Sequence, residues 1–243
     1  MCIRDRLKAV KDSRLNTSSL TRMEILLTEA RSFTSNSHPD LALARLAEAE
    51  VLLSSTVDAI RPVLAQYIDA AKISRWKSLV DDVVAESRRD GGYAIVVNKL
   101  RRQLILYIKG EVVATYPVGL GFNTIGDKLR AGDRATPEGR YQVISKRPNS
   151  KFYRALMINY PNVDDQHRFA EAKRKKRIPA NAKIGGLIEI HGGGKDSVTL
   201  GCIGLNDSHM LKLFNRIEVG TPVVIVAAMS TDNLVRIALE RLE

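Results

Sequence analysis

The feature that most constrains this chain is a change of hydrophobic period at one pair of glycines, Gly91-Gly92. Before it, from Ser18 to Arg89, there is no glycine. Apolar residues recur three and four apart in "SLTRMEILLTEARSF", "HPDLALARLAEAEVLLSS" and "RPVLAQYIDAAKISRWKSLVDDVVAESRR", the spacing that lines one face of an α-helix. After it come short runs rich in β-branched residues at period two, "YAIVVNK", "QLILYIKG", "EVVATYPVGLG", "GRYQVISK" and "ALMINY", the pattern of half-buried strands. The expected class is therefore α+β: an α-helical N-terminal region over 1–91, a mostly-β domain over 92–228 and a C-terminal helix over 229–243.

Local signals refine this layout. "SNSHPD" breaks the helical pattern, with Asp40 or Ser37 as the expected cap, and Pro62 is expected in a first helical turn, where its missing N–H costs nothing. "RRDGG" is a helix stop. Asn98-Lys99, Lys109-Gly110 and Pro137-Glu138-Gly139 are turn signals between strands, and Thr136, Pro137 and Gly139 are read as turn formers. "GLIEIHGGG" and "LGCIGLND" follow as strands, then a helix over "DSHMLKLFNRI", the strand "TPVVIVA" and the helix "TDNLVRIALERL". The basic stretch 164–183, "DDQHRFAEAKRKKRIPANAK", reads as a solvated helical or loop excursion, or else as a clamp for a polar polymer.

Composition excludes some functions. Lys and Arg outnumber Asp and Glu by 38 to 27, a net charge of +11, so nucleic acid, anionic lipid and an acidic wall polymer all enter as partners on charge alone. Nucleic acid is set aside, because aromatic residues make up only 5% and no recognised motif stands in the basic stretch. Two cysteines, one of them Cys2, make no disulfide framework, so Cys202 is expected to be a free thiol. No run approaches the roughly 18 apolar residues of a membrane span. The start, "MCIRDR", resembles a translated sequencing-adapter end joined to a partial gene, which implies a missing leader or anchor. Membrane attachment is accordingly left open.

The chemistry concentrates in "IEIHGGGKDSVTLGCIGL", Ile188 to Leu205. A thiol becomes a useful nucleophile beside a base, usually histidine, and His191 stands eleven positions before Cys202 at the end of an expected strand. Three glycines after it permit a sharp turn and close approach of a substrate. Backbone N–H groups around Leu200, Gly201 and Cys202 are available for an oxyanion. Two other readings stand beside this one: Cys202 as a small buried hydrophobe with His191 a satisfied strand-end histidine, and a metal site needing His209 or an acidic residue, although H-x10-C-x6-H is no recognised zinc spacing. His38, His167 and His209 have no motif around them.

"IHGG" followed by "TLGCIGL", with "DRATPEGRYQV" and "QLILYIKGEVVATYPVGLG" upstream, resembles the L,D-transpeptidase catalytic domain of the YkuD type across roughly Tyr93 to Ala228. "GDKLRAGDRATPEGRY" and "MINYPN" are similar to its YafK-like branch. The resemblance implies a mostly-β, sandwich-like fold acting on bacterial peptidoglycan stem peptides, without metal or organic cofactor. Cys202 matches the nucleophile that forms a thioester, and His191 the general base and acid. The Gly192 carbonyl matches the group that orients the imidazole, Gly201 and Cys202 N–H the oxyanion donors, and Thr199 a Ser/Thr position.

Two departures stand out. Leu200 replaces the histidine that many members carry before Gly-Cys, and "GGGKDSV" is a short connection between His191 and Cys202. Weaker expectations are that Lys128, Arg130 and Arg134 bind a stem carboxylate and that Tyr160 lines the pocket or packs.

The implied activity is cross-linking or exchange of stem peptides. The alternatives are hydrolysis that releases stem-linked groups or murein-bound protein, and, in another class, a non-catalytic wall-binding protein. The chemistry implies a periplasmic or cell-envelope location.

Overall fold

A computed structural model describes residues 17–194 and 199–240, which form two compact units: 17–68 with 232–240, and 69–231. The first unit holds α1 (Thr17–Ser35), α2 (Pro39–Ala65) and α6 (Leu234–Glu240). Leu26, Ala30, Ala42, Ala49 and Val57 are buried along α1 and α2, and Arg22 and Arg45 both pair with Glu48. Neither Asp40 nor Ser37 caps α2. Its N-cap is His38, which makes no side-chain cap bond, with Pro39 in the first turn. The fixed φ of proline suits that position, and Asp40 complements the helix dipole from within the turn. Pro62 lies inside α2 and not at a helix start. A proline there supplies no N–H to the ladder's i−4 carbonyl, and the helix ends three residues later.

The second unit begins with α3 (Ala70–Asp90), capped by the Asp69 carboxylate accepting from Lys72 N–H and stopped by Gly91 in the left-handed region. Ile73, Trp76, Val80, Val83 and Ser87 are its buried residues, one face at the spacing read from the sequence. That face lies on the sheet, so α3 belongs to the β unit and the boundary between the compact units falls near residue 68, not at 91. The strands are β1 (Tyr93–Asn98), β2 (Gln103–Ile108), β3 (Glu111–Pro117), β4 (Gly139–Ser150), β5 (Tyr153–Ile158), β6 (Glu189–His191), β7 (Ile203–Gly204) and β8 (Pro222–Val226). They form one hydrogen-bonded series, β3-β2-β1-β8-β4-β5-β6-β7.

Long β4 joins the two halves, pairing with β8 through Gly139–Gln142 and with β5 from Val143 onward. Beyond β3, Gly119 bridges to Gly204 of β7, with N–H to O distances of 2.8 and 2.9 Å, so the ends of the series meet. One core fills the curl: Ile95, Val97, Leu104, Leu106, Val143, Leu156, Ile190, Ile203, Val223 and Ile225 are at most 0% exposed. The basic excursion contains α4 (Val163–Arg174), whose start is closed by a capping box between Asn162 and Asp165. The last helix of this unit, α5 (Asp207–Phe214), follows β7 directly. Among the described residues no helix is long and apolar enough to cross a membrane.

Candidate active site

The site is assembled by two short neighbouring strands. Parallel β6 and β7 pair Ile190 with Ile203 and His191 with Gly204. Cys202, one residue before β7, therefore lies level with Glu189, and strand alternation puts Glu189 and His191 on the same face. The sulfur is half-buried, with Sγ 3.7 Å from the Leu187 carbonyl. Leu187 has φ 57°, a costly conformation for a residue with a Cβ, and it turns that carbonyl toward the thiol immediately before β6 begins.

Thr199 brackets the turn that carries the cysteine. Its Oγ1 donates to the Cys202 carbonyl at 2.7 Å and accepts from Gly201 N–H at 3.1 Å. Gly201 has φ 139°, and a Cβ there would lie 2.7 Å from the Ala135 carbonyl oxygen, so glycine is required both by conformation and by the close approach of the 134–136 segment. Gly201 N–H thus has a partner in Thr199 Oγ1.

His191 is 5% exposed and held on several sides. Its Nδ1 is 2.6 Å from the Gly192 carbonyl oxygen. A carbonyl only accepts, so Nδ1 carries a proton, and in the neutral imidazole the free lone pair is on Nε2. The Phe152 ring stacks on the imidazole, centroids 4.6 Å apart at 25°. Gly192 N–H donates to the Arg154 carbonyl, and Gly193 N–H to Asp207 Oδ1 at 2.8 Å. A Cβ on Gly192 would fall 2.6 Å from Asp207 Oδ1 and 2.8 Å from the Phe152 carbonyl oxygen. The connection "KDSV", residues 195–198, lies outside the described residues.

Burial pushes the Cys202 thiol up. The Glu189 backbone N–H and the charges of Lys128 and Lys151 act against this, and the Glu189 carboxylate adds to it. The resting cysteine is thus a thiol at neutral pH, and its proton must leave as bonds change. A raised thiol and an imidazole fixed through Nδ1 suit proton transfer during attack better than a preformed thiolate.

Behind the cysteine turn lies a polar network. Lys99, whose side chain is 0% exposed, donates to Gly126 O at 2.7 Å, Thr136 O at 2.9 Å and Glu138 Oε1 at 2.7 Å. Thr136 Oγ1 accepts from Gly121 N–H, and Asp127 accepts from Glu138 N–H while pairing with Arg168. Burial, with Glu138 nearby, pushes Asp127 up to about 7. Lys128 is not available to a substrate as a surface base. Its side chain is 4% exposed and paired with Asp133 at 2.8 Å. Arg130 donates to the Ala131 carbonyl, and Arg134 is exposed over the Phe122 ring. Tyr160 packs: it is buried, its hydroxyl donates to the Ile184 carbonyl at 3.3 Å, and it meets Tyr141 edge-on.

A known family model, the L,D-transpeptidase catalytic domain (YkuD), matches residues 92–225, more than half of the chain. The chain belongs to this family. It is 30% identical over 126 residues to YafK of Escherichia coli (strain K12), a protein named as a candidate L,D-transpeptidase; the match covers 49% of this chain and 45% of YafK. The similarly named YqjB of Bacillus subtilis (strain 168) is 27% identical over 147 residues, covering 58% and 76%. This chain spans less than half the length of YafK. Among solved structures, the helical cell shape determining protein Pgp2 from Campylobacter jejuni aligns with TM-score 0.43 and 21% identity, over 62% of this chain and 56% of that one.

Within this L,D-transpeptidase domain the structure brings His191, Gly192, Thr199, Gly201 and Cys202 together on β6, β7 and the turn between Thr199 and Cys202. Leu200, at the position where many members carry histidine, is 76% exposed. Phe152, Asp207 and Leu187 were not singled out from the sequence, and Lys99 was read only as part of a turn. Asp207 had a signal, since "LND" opens a helix. Phe152 had none, because it reaches His191 only through the β4–β5 hairpin.

Proposed function

We propose that the protein is a cysteine-dependent L,D-transpeptidase acting on peptidoglycan stem peptides in the cell envelope, with Cys202 as nucleophile and His191 as general base and acid. The observation that supports this is the pairing of β6 with β7, which sets the strand ending on His191 beside the strand that Cys202 immediately precedes, with the imidazole Nδ1 committed to the Gly192 carbonyl. In the first half-reaction Nε2 takes the thiol proton as Sγ attacks the carbonyl of the third stem residue. The oxyanion accepts from Cys202 N–H. The C–N bond to the terminal D-alanine breaks, the leaving amine takes the proton from Nε2, and a thioester remains.

In the second half-reaction an amine of another stem attacks the thioester. His191 removes its proton and returns one to sulfur, so enzyme and protons are restored. Water in place of the amine gives hydrolysis with the same balance. Muropeptide profiling of sacculi digested with the protein is the test. New cross-links or exchanged terminal D-amino acids support transfer, and shortened stems or released stem-linked protein alone replace it with hydrolysis. Unchanged sacculi, with wall binding intact in Cys202→Ala, refute both.

A further inference from the structure

Resting on that reading, we infer that Phe152 is a positioning residue for His191: its ring, delivered by the tip of the β4–β5 hairpin, holds the imidazole in the orientation and tautomer that present Nε2 to the thiol. Four observations converge. The ring stacks on the imidazole at 4.6 Å and 25°, an offset arrangement favoured by aromatic pairs. The hairpin tip is built to reach inward, since Phe152 N–H donates to Ser150 Oγ at 3.2 Å and Tyr153 takes φ 78°. Gly192 N–H donates to the Arg154 carbonyl, fastening the residue after the histidine to the same hairpin. Gly192 also has no room for a Cβ, because the Phe152 carbonyl would lie 2.8 Å away. The glycine after the histidine therefore leaves room for the backbone of the hairpin tip and for the Asp207 carboxylate.

The imidazole is consequently gripped in two directions. The Gly192 carbonyl fixes its rotation in the ring plane through Nδ1, and the Phe152 face fixes its tilt. An aromatic face also favours the imidazolium that forms once Nε2 has taken the thiol proton. Phe152 is 40% exposed and is not a member of the buried core. Lys151, with Nζ 4.9 Å from the centre of the same ring, accompanies it at the hairpin tip.

The test compares wild type, Phe152→Leu and Phe152→Tyr in two assays. In the first, Cys202 acylation by a tetrapeptide stem and by a carbapenem is followed by mass. The rate constant at saturation is expected to fall about tenfold in Phe152→Leu, as lost orientation and lost stabilisation of the imidazolium accumulate. KM should stay within about twofold, and the tyrosine variant should restore the rate.

The second assay is the ¹⁵N spectrum of the His191 ring. It should show one Nδ1–H tautomer in wild type and Phe152→Tyr and tautomer exchange in Phe152→Leu. Wild-type rates together with an unchanged His191 spectrum in Phe152→Leu would overturn the inference. A wild-type protein that neither stem nor carbapenem acylates would overturn the proposed function instead, while the ring spectrum still judges Phe152.

Discussion

Replacing Lys99 with methionine removes a buried cation from a site built around it. The ammonium donates to three acceptors, Gly126 O, Thr136 O and Glu138 Oε1, all within 2.9 Å, and its side chain is 0% exposed. Methionine fills most of the volume and supplies no proton, so two carbonyls lose their donor and the Glu138 carboxylate, itself 8% exposed, stays beside Asp127 without its cation. Removing one partner of a buried pair costs about 3–5 kcal/mol, because the remaining charge is uncompensated. For a unit of this size each kcal/mol moves Tm by about 2–4 °C, so calorimetry should show a drop on the order of 10 °C. Lys99→Met with Glu138→Gln should recover part of that loss, since the orphaned charge is gone. A single variant within about 1 kcal/mol of wild type would refute the view that this ammonium organises the segment pressed against Gly121 and Gly201.

Gly192→Ala should cost about 1–3 kcal/mol by overpacking against Asp207 and Phe152, read by denaturant unfolding, with acylation of Cys202 falling as the Gly192 carbonyl moves. Asp127 holds its proton in the folded state to about pH 7, well above its ordinary value of 3.8. Its contribution to stability is therefore complete below the ordinary value and lost as pH rises toward 7. Asp127→Asn should flatten that part of the stability profile, and an unaltered slope would count against the assignment. Alkylation of Cys202 by iodoacetamide should reach half its maximum above the ordinary thiol value of 9.0. A plateau reached below pH 8 would reveal a preformed thiolate and reverse the order of proton transfer argued above.

The parts of this structure that were legible in the sequence are those written in local pattern. Ile73, Trp76, Val80 and Val83 announce the buried face of α3, and the alternation after Gly92 marks the strands. His191 and Cys202 stand in the motifs that carry the family resemblance, and the pairing of β6 with β7 sets their segments side by side. What escaped depends on distant contacts. Nothing in "VVNK" tells that Lys99 folds inward onto Gly126, Thr136 and Glu138, and Lys128 looks like a surface base until Asp133 is seen to bury it. The occupied Gly201 N–H follows from the rotamer of Thr199, and the Phe152 stack from a hairpin, neither of which has a periodicity to read. The grouping of α3 with the sheet was hidden for a related reason: the helix has the same amphipathic pattern as α1 and α2, and only the partner differs.

In the proposed reaction Cys202 carries the acyl group of the stem. Intact-protein mass spectrometry during incubation with a tetrapeptide stem measures this directly. An adduct equal to the stem less its terminal D-alanine is expected, mapped to the peptide containing Cys202, absent in Cys202→Ala and slowed in His191→Gln. Release of D-alanine by Cys202→Ala at the wild-type rate, or turnover by wild type with the adduct on another residue, would contradict it.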